Sequence, residues 1–226
     1  MSKPRVAILI SGRGSNMTAL LEAAARPGYP ATVALVLSNK AEAAGLERAN
    51  AAGIPTAVVA SKGRTRAEFE AELTATLAQN RIEILALAGF MRVLTAEFVA
   101  IWTGRMLNIH PSLLPAFPGL DTHARALAAG VRLHGCTVHL VTPGVDEGPI
   151  VAQSAVPVLA GDTESTLAAR VLEQEHRLYP AALAWLAAGQ VRLEGARAVV
   201  AANLAAGALA NPLPQFAPLR RDEQTP

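Results

Sequence analysis

Four short runs of aliphatic residues, nearly free of polar interruptions, recur through the first part of the chain, at residues 6–10, 33–37, 56–59 and 82–88. A strand buried on both faces reads this way, because neither side of the pleat has to meet water. Stretches of helical periodicity lie between the runs, at 15–25, 41–52 and 65–79, and the second is followed by Gly53, a residue suited to leaving a helix. Strand alternating with helix predicts an α/β fold: a doubly wound, mostly parallel sheet with helices on both faces, Rossmann-like in its N-terminal half.

The later part of the chain reads differently. A fifth strand at 105–109 leads into "NIHPSLLPAFPG", a short helix is expected near 122–129, and strands at 137–142 and 151–158 alternate more than the first four. Such alternation suits antiparallel or edge strands, so the sheet is expected to be mixed. Asp162 is placed as the N-cap of a long helix ending at Gly189, with a bend or break expected at Pro180. With 226 residues, 51% of them hydrophobic, the chain can bury one substantial core. One catalytic domain is expected over 1–194, followed by a tail over 195–226 that is partly docked or disordered.

Several function classes drop out early. The net charge of +2 comes from 20 basic and 18 acidic residues spread along the chain, so no nucleic-acid partner is expected. The apolar start is too short for a signal peptide or membrane span, which predicts a cytoplasmic protein with no membrane partner. The single cysteine, Cys136, excludes an internal disulfide and reads as packing within "GCTVHLV".

"ILISGRGSNMTALL" is a strand, a glycine loop and a helix whose free N–H groups can receive an anion. A dinucleotide site wants a third glycine where Met17 stands and a carboxylate after the second strand, where "SNK" stands. A phosphate on a smaller ligand fits better. A tight turn at Gly12 and Gly14, with Ser15 or Asn16 as a helix cap, accounts for the same residues.

Ligands of such sheets bind beyond the carboxyl ends of the strands. Those ends carry the glycine loop, "GFMRVL", the pair Asn108 and His110, and Asp146 in "PGVDEGP". An asparagine, a histidine and an aspartate at one rim supply an oxyanion donor, a proton carrier and a carboxylate that favours the imidazolium. No serine or cysteine nucleophile stands beside them, so the substrate is expected to bring its own, such as an amine. Singly, each residue also has a packing or turn role, as do His123, His134 and His139, although the alternation around His139 can turn it toward the rim.

The segments "ILISGRGSN", "LSNKAEAAGLERA", "ALAGFMRVLT", "LNIHPSLLPAFPGLDTHARAL", "HGCTVHLVTPGVDEGPIVAQSAVPV" and "RVLEQEHRLYP" closely resemble the folate-dependent formyltransferases, in particular the phosphoribosylglycinamide formyltransferases. The resemblance implies transfer of a formyl group from 10-formyltetrahydrofolate, a co-substrate, to the amino group of phosphoribosylglycinamide in purine biosynthesis, with no metal. It implies Asn108, His110 and Asp146 as catalytic residues, and Gly14, Ser15, Asn16 and Glu175 as ligands of the phosphoribosyl substrate. For the folate it implies Arg66, Met91, Arg92, Val93, Leu94, Asn108, Thr142, Pro143, Gly144, Val145 and Asp146. The partners implied are small molecules, and the chain is expected to be a monomer or homodimer. Read by itself, Glu175 lies within about a quarter-turn of the stripe Leu167, Val171 and Leu178, where a carboxylate needs a partner. The rivals are a deformylase, a formyltransferase for charged tRNA or an amino sugar, and a non-catalytic nucleotide-binding module. With the first strand beginning near residue 5 and about 30 residues after the core, neither an N-terminal regulatory domain nor a C-terminal barrel is expected.

Overall fold

The computed structural model describes residues 2–201 and 210–211. Five parallel strands form the first part of the sheet: β1 (Arg5–Ile10), β2 (Thr32–Ser38), β3 (Thr56–Val58), β4 (Ile84–Leu87) and β5 (Met106–His110). Two longer strands, β6 (Leu133–Leu140) and β7 (Ile150–Pro157), continue it antiparallel to their neighbours, as their alternation predicts. The helices are α1 (Ser15–Ala24), α2 (Ala44–Ala51), α3 (Arg66–Gln79), α4 (Ala96–Ile101), α5 (Thr122–Ala128) and α6 (Glu164–Ala187). A hairpin, β8 (Val191–Glu194) with β9 (Arg197–Val200), follows α6, and β10 (Ala210–Asn211) pairs with β7. The sheet order is β10-β7-β6-β5-β4-β1-β2-β3.

The alternation of β1 splits the core in two. Val6, Ile8 and Ile10 join α1, α2 and α6 on one face, while Ala7 and Leu9 join Phe69, Leu73 and Leu77 of α3 on the other. Removing each such large aliphatic side chain from water contributes about 1.5–3 kcal/mol. Both faces are therefore held by the same strands, and the carboxyl edge of β1, β4 and β5 is left as the boundary between two helical layers.

Sequence and structure differ at three local points. The N-cap of α6 is Thr163, not Asp162: its side chain accepts from Thr166 N–H, whereas Asp162 stands just outside and pairs with Arg170 at 2.8 Å. α6 also continues through Pro180 instead of breaking, with the Pro180 carbonyl accepting from Tyr29 Oη at 2.8 Å. The helix α4 was not foreseen, although Thr95 before "AEFVAI" caps it, accepting from Phe98 N–H. The expected boundary at 194 falls at the turn of the β8–β9 hairpin; most of the expected tail, 202–209 and 212–226, lies outside the described residues. Cys136 is fully buried, and burial pushes its thiol pKa up, which agrees with a packing role. Among the described residues no helix is long and apolar enough to cross a membrane.

Candidate active site

Asn108 and His110 are two apart on β5 and so share a face. The residues between and before them, Ile109 and Leu107, belong to the α1/α6 core, so the polar pair faces the α3/α4 side. His139, which sequence reasoning left as structural, is the register partner of Asn108 on β6 and is 2% exposed. Its Nδ1 lies 3.0 Å from the Leu140 carbonyl and its Nε2 lies 3.1 Å from Asn108 Nδ2. A carbonyl only accepts, so Nδ1 carries the proton and Nε2 accepts from the Asn108 amide. That bond fixes the amide orientation and leaves the second N–H of Asn108 for a ligand. Burial lowers the His139 pKa against the opposing pull of the Leu140 carbonyl and Asp146, which suits this neutral acceptor form.

Asp146 reaches the pair by a route that the strand-end argument did not contain. Because β6 is antiparallel, its carboxyl end lies beside Leu107, not beside the carboxyl end of β5. The loop after it folds back across the face. Gly148 permits this, since a Cβ there would stand 1.6 Å from the Leu140 carbonyl oxygen. Asp146 itself adopts a left-handed backbone with φ 56°, and its Oδ2 accepts from Gly119 N–H at 2.8 Å. The same oxygen lies 3.3 Å from His110 Nδ1, and Oδ1 lies 3.8 Å from His139 Nε2. His110 Nε2 lies 3.0 Å from the Phe117 carbonyl. The ring is thus held between two acceptors, the Phe117 carbonyl at Nε2 and the Asp146 carboxylate facing Nδ1.

The segment after His110 is shaped by more than its prolines. Thr137 Oγ1 on β6 donates to the Ser112 carbonyl at 2.7 Å and accepts from Leu114 N–H at 3.0 Å. Gln153 on β7 donates to the Leu114 carbonyl at 2.8 Å. Thus β6 and β7 set the loop that delivers the Phe117 carbonyl to His110. His123 and His134 lie 3.2 Å apart, nitrogen to nitrogen, and make none of these contacts; burial, then the neighbouring His123, brings the His134 pKa down to about 4.

At the other side of the carboxyl edge, Gly14 is the N-cap of α1 with φ 73° and no side-chain cap is present. Neither Ser15 nor Asn16 caps the helix, so the capping explanation fails while the turn at Gly14 stands. Asn16 Nδ2 donates instead to Glu175 Oε2 at 2.7 Å, while Asn16 Oδ1 is buried without a partner. Glu175 is 5% exposed, and burial pushes its pKa up to about 7 against the lowering effect of the Asn16 bond. Asn16 Oδ1 thus presents an acceptor awaiting a donor, such as a ligand hydroxyl.

The elevated pKa has a stability consequence. Its contribution is greatest below the unfolded value near 4.5 and is lost as pH rises through about 7. At about 1.4 kcal/mol per unit, the full effect is up to about 3 kcal/mol. Thermal unfolding from pH 5 to 8 is expected to show Glu175→Gln gaining on wild type as pH rises; parallel curves would refute the titration.

The expected folate residues flank the pair. Met91 and Val93 are 67% and 49% exposed, whereas Leu94 is in the α3/α4 core. Arg92 lies over Phe69 at 4.8 Å from the ring centre, and its Nη2 is 3.5 Å from the Arg64 carbonyl. Arg66 opens α3 and is exposed. Thr142 and Pro143, with Val99 and Val141, line an apolar cavity of about 160 Å³ at the base of the Asp146 loop, and Gly144 and Val145 lie on the loop itself.

Residues 4–183 match the formyl transferase family. Phosphoribosylglycinamide formyltransferase of Escherichia coli is 46% identical over 83% of this chain and 89% of its own length. A crystal structure of phosphoribosylglycinamide formyltransferase from Brucella melitensis is 57% identical, covers 85% of this chain and 100% of its own, and superimposes with a TM-score of 0.80. The human trifunctional purine biosynthetic protein adenosine-3 is 50% identical over 84% of this chain, which spans 19% of that much longer protein. With nearly the whole α/β sheet inside the matched region, the chain belongs to the formyl transferase family.

Proposed function

We propose that the protein transfers the formyl group of 10-formyltetrahydrofolate to the amino group of phosphoribosylglycinamide, giving formylglycinamide ribonucleotide and tetrahydrofolate in purine biosynthesis. The single observation that carries the reading is the partly buried cluster of Asn108, His110 and Asp146, which has donors and a carboxylate but no serine or cysteine nucleophile. A reaction in which the substrate amine attacks needs no more. The phosphoribosyl group fits the open α1 terminus beside Asn16 and Glu175: backbone N–H groups for the phosphate, acceptors for the ribose hydroxyls. Exposed Met91 and Val93 offer an apolar wall for a flat heterocycle on the opposite side of the edge.

The amine forms a bond to the formyl carbon, whose oxygen becomes the oxyanion. Asn108 donates its free N–H to that oxygen, and His110, held between the Phe117 carbonyl and Asp146, supplies positive charge beside it. Asp146 balances the charge on His110 and directs the amine proton, through water, to N10 of the folate as the carbon–N10 bond breaks. Both substrates are required for product. The test is tetrahydrofolate release with and without phosphoribosylglycinamide. Release that depends on the acceptor is expected; release without it indicates a deformylase, and NAD affinity without release indicates a binding module.

A further inference from the structure

Ser11 directly follows β1 and directly precedes the glycine loop, yet its side chain serves neither core nor phosphate. It is 7% exposed, and alternation along β1 turns it to the α3/α4 side, the face of Asn108 and His110. Its hydroxyl makes two bonds: it donates its only proton to Asn39 Oδ1 at 2.6 Å and accepts from Met91 N–H at 2.7 Å. Asn39, 5% exposed, is itself fixed, since its Nδ2 donates to Ser61 Oγ at 3.0 Å and its main-chain carbonyl accepts from Ser61 N–H at 3.2 Å. With Asn39 Oδ1 held as an acceptor, the Ser11 proton has one direction to point, and its lone pair is aimed at Met91.

The segment receiving this bond is otherwise tied at its far end. Glu70 on α3 accepts from Thr95 N–H at 2.7 Å, and Arg92 rests on Phe69. Ser11 holds the near end, where the backbone is fixed while the Met91 side chain stays exposed. The Met91 bond is part-buried, so losing the hydroxyl costs about one ordinary hydrogen bond and releases the near end of the segment. We infer that Ser11, oriented by Asn39, is a positioning residue for the folate: through Met91 N–H it sets the distance between the apolar wall and the catalytic pair. The inference rests on the proposed reaction.

Ser11→Ala is expected to raise KM for 10-formyltetrahydrofolate, and Kd for tetrahydrofolate measured anaerobically by calorimetry, about 5- to 10-fold. KM for phosphoribosylglycinamide should stay within about twofold, because Asn16 and Glu175 lie across the sheet edge and share no bond with Ser11. Ser11→Thr, which keeps the hydroxyl, should restore the folate values. Asn39→Ala, which leaves Ser11 in place, should shift the folate values in the same direction and serves if Ser11→Ala does not fold. Equal rises in both KM values, a rise for the acceptor alone, or an unchanged tetrahydrofolate Kd would overturn the role of Ser11. A wild-type protein that releases no tetrahydrofolate with both substrates present would sink the proposed reaction instead, and the calorimetric comparison would still decide on Ser11.

Discussion

Asn108→Ala is expected to lower kcat about 100- to 1000-fold, the usual cost of removing one donor from an oxyanion site, while KM for both substrates changes little. In the proposed reaction the formyl oxygen is a weak acceptor in the ground state and becomes charged only as the amine bond forms, so a bond from Asn108 strengthens along it. The amide is held ready by His139, whose Nε2 accepts its other N–H at 3.1 Å and whose own Nδ1 is tied to the Leu140 carbonyl. Little reorganisation is then needed when charge appears. Asn108→Asp tests the same point from another direction: it keeps the size but replaces a donor with an acceptor, and is expected to be as damaging as alanine. Steady-state and single-turnover rates for the two variants check this, and a kcat within threefold of wild type would remove Asn108 from the oxyanion site.

The strands were legible because aliphatic runs buried on both faces leave a strong pattern, and the antiparallel β6 and β7 were legible because one face of each meets a different environment. What sequence could not convey is contact across the sheet. His139 looked like one more alternating residue until the β5–β6 register put it opposite Asn108. Asp146 was correctly grouped with His110, but its loop was assumed to leave the same rim; it leaves beside Leu107 and folds back over the face. Ser11 carried no signal at all, since a serine before a glycine loop reads as part of the turn. For α4, the signal existed in Thr95 and "AEFVAI", directly after the strand end "GFMRVL". The resemblance to formyltransferases supplied both substrates; periodicity and spacing supplied the frame on which the proposed residues sit.

Asp146→Asn is the second large effect expected, a fall in kcat of about 100-fold or more, in the range for losing assisted proton transfer. The substitution is close to isosteric, and its side-chain oxygen can still accept from Gly119 N–H, which the wild-type carboxylate takes at 2.8 Å. The loop therefore has a reason to stay folded. What disappears is the charge 3.3 Å from His110 Nδ1, and with it, in the proposed reaction, both the carboxylate that favours the imidazolium and the acceptor that directs the amine proton. Asp146→Ala removes the Gly119 bond as well, so it should add a folate KM increase that the asparagine variant lacks, because Gly119 and the 142–148 loop then lose their tether. Neither change should alter KM for phosphoribosylglycinamide, whose proposed ligands Asn16 and Glu175 belong to the other side of the edge. Comparing kcat and both KM values for the two variants separates the roles: equal behaviour would make Asp146 a loop anchor only, whereas a kcat loss already complete in the asparagine variant assigns the effect to its charge.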